Sequence, residues 1–212
     1  MFVEYEYPLI LEDFNNKKTM ELSALVKMLE NAGNKHSDIA KDNMVDSTNN
    51  GKAWILTDWF VELDEIPVYG DKIKAVTWSE PAVSIFTVPR NFLIYDNDKQ
   101  IGKATTRWAI LDLNTLRPSK IEPSIIAQYE PEDKKVFEDP KLPKIAIPDH
   151  FDIEKEIQIR RSDIDYNNHV HNLVYIDYAM DTLPKEIYEN RSMTARNTKI
   201  TRRPLPLPAL RT

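Results

Sequence analysis

Three side chains in one short segment could do chemistry together: Asp165, Asn167 and His169, in the run Asp165-Tyr166-Asn167-Asn168-His169. In an extended chain, residues two apart share a side. A carboxylate, an amide and an imidazole would then face one reactant. The segment runs into a helical pattern, and a helix N-terminus offers unpaired N–H groups and the positive end of a dipole. Hydrolysis of a thioester would use this set. The carbonyl oxygen becomes an oxyanion and needs donors, which Asn167 and the helix N-terminus could supply. Asp165 would orient or activate the water. His169 would act as base or donor, since imidazole ordinarily titrates at about 6.5. Spacing alone also allows a duller reading, because Asp and Asn before a helix serve as caps and turn formers. His36, His150 and His171 have no comparable company and read as structural or solvated. No Gly-rich phosphate loop and no metal-ligand spacing occurs, so no cofactor or metal is expected.

The elements around this segment follow from periodicity. Leu173, Ile176, Ala179, Met180 and Leu183 form a helical stripe that ends at Pro184. Before it, Ile153 to Ile159 alternates as a half-buried strand does. The same order occurs near the start of the chain. Phe2 to Leu11 reads as a strand, and Asp13-Phe14-Asn15-Asn16-Lys17 as a turn. A helix follows, capped by Thr19, striped by Leu22, Leu25, Val26, Leu29 and Ala32, and stopped at Gly33. The first turn resembles Asp165 to His169 residue by residue, with Lys17 standing opposite His169, which suggests a duplicated unit. Four strands then follow: Ala53 to Leu63, Asp71 to Trp78, Val83 to Tyr95 and Ile101 to Leu113. Short links favour antiparallel neighbours. One long helix with a sheet wrapped around it is the hot-dog arrangement, an α+β fold.

The composition narrows the classes. The chain has 212 residues and no cysteine, so a thiol nucleophile, disulfides and thiolate metal sites are excluded. The net charge of −6 argues against a nucleic-acid binder. No run of about 20 apolar residues could span a membrane, and the N-terminus has no secretory pattern. A cytoplasmic protein is expected. From Arg191 to Thr212 the chain turns basic, with Arg191, Arg196, Lys199, Arg202, Arg203 and Arg211 and no acidic residue.

Arg160-Arg161-Ser162-Asp163-Ile164-Asp165-Tyr166-Asn167-Asn168-His169-Val170-His171-Asn172-Leu173-Val174-Tyr175-Ile176 resembles the second-domain signature of acyl-ACP thioesterases. Ala53-Trp54-Ile55-Leu56-Thr57, Pro67-Val68-Tyr69-Gly70-Asp71, Arg107-Trp108 and Ser119-Lys120-Ile121 support the resemblance in the first half. It implies tandem hot-dog units, residues 1–129 housing the acyl chain and residues 149–190 the catalytic groups, joined by a Pro-rich linker at 130–148. It implies catalytic roles for Asp165, Asn167 and His169. The acidic carrier protein would be the partner, with Arg160 and Arg161 as contacts, and fatty acid biosynthesis the setting. Trp54, Trp59 and Trp108 would wall the acyl pocket, or else pack as core. A homodimer is compatible with this reading. The family's catalytic acidic residue after the second helix has no counterpart here, and His171 replaces its usual asparagine. The resemblance is expected to stop at Arg191. Residues 191–212 read as a divergent tail, because Pro204, Pro206 and Pro208 exclude a central strand, and the second unit as cut short by a damaged gene end. An acyl-CoA thioesterase, or an inactive acyl-binding remnant, are the alternative readings.

Overall fold

The computed structural model describes residues 1–42, 51–138, 149–165, 168–190 and 198–201. Strand β1 (Val3–Glu6) leads through a 3-10 turn, Leu11–Asp13, into helix α1 (Leu22–Ile39). Strands β2 (Lys52–Leu63), β3 (Ile73–Ser79), β4 (Val88–Asp96), β5 (Lys99–Asp112) and β6 (Arg117–Ser119) follow, then the short helix α2 (Pro123–Gln128). A second 3-10 turn, Arg161–Asp163, precedes helices α3 (Asn172–Thr182) and α4 (Lys185–Asn190) and strand β7 (Thr198–Thr201). The sheet is antiparallel in the order β1-β3-β4-β5-β2-β7, with β6 paired to β5.

Helix α1 lies on this sheet because its apolar residues recur at helical spacing. Ala24, Leu25, Met28, Leu29 and Ala32 are buried against Trp59, Val61, Ala75, Phe92, Ile94 and Ala104. The helix does not stop at Gly33; it continues to Ile39. Thr19 is not its cap. Thr19 bridges to Val68, and Glu21 takes the N-cap position. Gly33 therefore sits inside the helix, where a side chain is spared over the Arg90 stem.

Two departures have local causes. Residues 83–87 form a turn closed by a Ser84–Thr87 bridge, so the third predicted strand begins only at Val88. Ile153 to Ile159 is not a strand, and both of those end residues are about half exposed. Its alternation is real, but strand geometry needs a hydrogen-bonding neighbour, and none of the described strands pairs with it. In β2 a bulge at Thr57 shifts the register between Leu56 and Asp58. It brings Trp54 and Trp59, an odd number of residues apart, to the helix side of the sheet. In β5, Gly102 is required by close approach: a Cβ would stand 2.5 Å from Leu63 Cδ2 and 2.8 Å from the Glu62 carbonyl.

Candidate active site

The 3-10 turn before the second helix is held by one buried carboxylate. Asp163 is 2% exposed. Its Oδ2 accepts from the Arg160 backbone N–H at 2.8 Å and from the Tyr178 hydroxyl, and its Oδ1 pairs with the Arg160 guanidinium at 3.0 Å. The Tyr178 hydrogen bond first, then that of the Arg160 backbone, hold the carboxyl down at about 2. From this anchor the chain makes a closed loop. Ile164 bridges to Val170, Asp165 N–H donates to the His169 carbonyl at 2.8 Å, and Asn168, at φ 59°, donates back to the Asp165 carbonyl at 3.0 Å. Asp165 Oδ1 accepts from the His169 backbone N–H at 3.2 Å.

This geometry corrects the extended segment inferred from spacing. Asp165 and His169 are brought together across the neck of a tight loop, not along one edge of a strand. Asp165 is half-buried and His169 exposed. Asn167 lies outside the described residues. The loop feeds directly into α3, whose N-cap is His171. Its backbone N–H donates to the Asp163 carbonyl at 2.9 Å, and its Nδ1 accepts from Leu173 N–H at 3.2 Å. His171 Nε2 lies 4.0 Å from Oε2 of Glu30, on α1. Burial pushes the Glu30 carboxyl up to about 7.

The same construction occurs before α1. Asp13 is 2% exposed and accepts from the Ile10 N–H and the Tyr7 hydroxyl. Phe14 bridges to Met20, Asn15 N–H donates to the Thr19 carbonyl, and Lys18, at φ 62°, donates back to the Asn15 carbonyl. Glu21 N–H donates to the Asp13 carbonyl. The counterparts are thus Asp13 with Asp163, Asn15 with Asp165, Thr19 with His169 and Glu21 with His171. The pairing of Asp13 with Asp165 and of Lys17 with His169 is two residues out of step. Asp and Asn recur so densely in both segments that composition could not fix the register; the buried anchor does. In the first copy no carboxylate or imidazole occupies the Asn15 or Thr19 position, and Lys17 Nζ donates to the Tyr188 carbonyl of α4 at 3.0 Å.

A small cleft opens on the first unit, between α1 and the sheet. Gly33, Ser37, Trp54, Arg90, Trp108 and Tyr129 are among its walls. Two of the three tryptophans singled out from sequence line it. Trp59 does not; it is 5% exposed and stacks on Phe92 in the main core. The polar side of the cleft was not anticipated. Arg90 Nη1 donates to His36 Nδ1 at 2.8 Å, and His36 Nε2 lies 3.3 Å from the Tyr129 carbonyl. Burial first, then the neighbouring Arg90 charge, depress His36 to about 3, so its ring is neutral. Tyr129 hydroxyl and Trp54 Nε1 both donate to Asp42 Oδ2, at 2.7 and 2.8 Å. An arginine inside the apolar run Val88 to Ile94 was the available signal. Arg160 is engaged with Asp163, and Arg161 is exposed beside it.

A helix wrapped by an antiparallel sheet, with its approach loop and start repeated once, defines a hot-dog protein built from tandem units. Comparison with known proteins places it further. The acyl-ACP thioesterase N-terminal domain matches residues 2–129 and the acyl-ACP thioesterase C-terminal domain residues 148–202. The chain belongs to the acyl-ACP thioesterase family. The match continues past Arg191, where the resemblance was expected to end, and takes in β7. The crystal structure of an acyl-ACP thioesterase from Bacteroides thetaiotaomicron superposes with a TM-score of 0.78 at 26% identity, over 89% of this chain and 76% of that one. The 12:0-ACP thioesterase from Umbellularia californica shares the fold, with a TM-score of 0.77 at 19% identity, over 89% and 77%. Oleoyl-acyl carrier protein thioesterase 1 of Arabidopsis thaliana, a chloroplastic protein, is 23% identical over 199 residues, which are 85% of this chain and 54% of that protein. The chain thus spans about half the length of the curated relatives it matches. Among the described residues no helix is long and apolar enough to cross a membrane.

Proposed function

We propose that this chain hydrolyses the thioester between a fatty acyl group and acyl carrier protein. The observation that supports this most directly is the closed loop joining Asp165 to His169 at the start of α3, inside the segment that matches the family's C-terminal domain. Asp165 orients the attacking water. His169 moves the proton or polarises the carbonyl, and Asn167 with the N-terminus of α3 receives the oxyanion. The chain has no cysteine, so water attacks the acyl carbon directly.

The acyl chain lies in the cleft between Trp54 and Trp108. Each methylene buried there contributes about 0.8 kcal/mol. The acidic carrier protein docks beside the 3-10 turn, where Arg161 is exposed. Fatty acid biosynthesis and a cytoplasmic setting belong to the same proposal. The test is turnover of a series of acyl-ACP substrates by the wild-type chain and by Asp165→Ala. The variant should lose about 10² or more in kcat. Equal turnover by the two proteins removes Asp165 from the mechanism, and hydrolysis of acyl-CoA in preference to acyl-ACP removes the carrier protein.

A further inference from the structure

Glu30 stands out among the partly buried groups that the mechanism does not yet use. It lies on α1, in the first unit, and faces the start of α3, in the second. Its side chain is 17% exposed. Among the described residues its carboxylate accepts no hydrogen bond, and the ionisable side chain set against it is His171, with Nε2 at 4.0 Å. A carboxylate so far removed from water is normally held by several donors, because an unsatisfied buried charge is costly. Here the lone pairs are left open beside the helix N-terminus that the catalytic loop feeds.

His171 explains how the opening is kept. Its Nδ1 accepts from Leu173 N–H, so the neutral ring carries its proton on Nε2, the nitrogen nearest Glu30. The cap thus fixes the ring with Nε2 toward the carboxylate. The other end of the helix pair is built differently. There Met180 of α3 packs into the core, and the first loop is closed over by Lys17 and α4. Among the described residues, the counterpart of Glu30 at that other end is the apolar Met180, not a carboxylate.

We propose that Glu30 is a catalytic carboxylate of the second unit's site, contributed across the interface by the helix of the first. This rests on the thioesterase reading. Glu30 takes a proton from the attacking water as the water oxygen bonds to the acyl carbon. The carbonyl electrons move to oxygen and return as the C–S bond breaks. The departing thiolate takes the proton back from the Glu30 carboxylic acid, leaving a free fatty acid and the carrier thiol. A carboxylate lifted by burial toward neutrality suits that exchange, since base and acid forms are both accessible at the working pH. His171 is the ionisable group facing Glu30. Burial is the single cause of its shift, with no charge on α1, β1 or β3 adding to it.

The experiment is Glu30→Gln in the full chain, read by kcat, KM, the pH profile of kcat/KM and thermal melting at pH 8. Glutamine keeps the shape and removes the charge. The expected result is a kcat lower by about 10² or more with KM within about threefold, and loss of the acid limb near neutrality. Thermal melting should rise, because the charged group that burial disfavours is gone. A merely structural carboxylate would instead give a lower melting temperature with kcat little changed, which overturns the proposal. So does an unchanged pH profile in a variant that still turns over. Wild-type chain that hydrolyses no acyl-ACP overturns the thioesterase reading as well, whereas active wild type beside active Glu30→Gln overturns Glu30 alone.

Discussion

Asp163 and Glu30 show how differently a carboxylate behaves in different surroundings. Asp163 is buried but receives donors from Tyr178 and the Arg160 backbone, and its carboxyl falls to about 2. Glu30 is mostly buried and accepts no hydrogen bond among the described residues, and its carboxyl rises to about 7. The two have opposite consequences for stability. A depressed carboxyl contributes stability above its unfolded value of 3.8, and that stability is lost as pH falls toward 2. Tyr178→Phe removes the largest cause, so the Asp163 carboxyl should titrate closer to 3.8 by NMR and the loop should loosen at a higher pH than in wild type. The raised carboxyl works in reverse. Stability falls as pH climbs from 4.5 toward 7, since the folded chain there binds more protons than the unfolded one. Glu30→Gln should therefore gain on wild type across that window, on the order of 3 kcal/mol by pH 8, as measured by denaturant unfolding.

At the scale of elements, periodicity revealed the two longer helices and most of the strands, because each buries one face. It failed where a local signal competed with the tertiary frame. Gly33 looks like a stop, yet α1 passes through it because the turns beyond still bury His36 and Ser37. Ile153 to Ile159 alternates like a strand but pairs with none of the described strands. The loop residues Asp165 and His169 were legible as a pair from their types. Their closed geometry was not, since it depends on Asp163, whose burial no spacing rule predicts. The polar wall of the cleft was equally hidden: Arg90 and His36 are far apart in sequence and meet only when β4 packs on α1. Gly33→Ala tests the helix reading. It should stabilise the chain by about 0.5–1 kcal/mol through helix propensity, since its Cβ would meet Arg90 Cδ at an ordinary 3.7 Å. The added methyl narrows the cleft, so turnover should fall most for the longest acyl chains in a substrate series.

Across the whole molecule, the two units are joined by the α1–α3 interface and by β7. The duplication leaves two loops of one geometry with different side chains, Asp165 and His169 in one and Asn15 and Thr19 in the other. Under the proposed function, binding and chemistry are divided between copies, with the cleft on the first unit and the Asp165–His169 loop on the second. The sheet is shared as well, since β7 adds to the free side of β2, pairing Asp58 to Val61 with Thr198 to Thr201. A chain ending at Asn190 would leave that side of β2 unpaired. It should elute as dimers or larger species in size-exclusion chromatography at concentrations where the full chain does not, because an open strand edge is a template for another chain.

That late pairing has a consequence for birth on the ribosome. β2 emerges well over a hundred residues before β7, so at about 5–20 residues per second the edge at Asp58 to Val61 waits on the order of ten seconds for its partner. During that interval the nascent first unit is folded enough to present a strand and not yet able to cover it. Slower translation, or crowding by neighbouring nascent copies, would lengthen the exposure and turn yield in the cell into a race between elongation and edge-to-edge association.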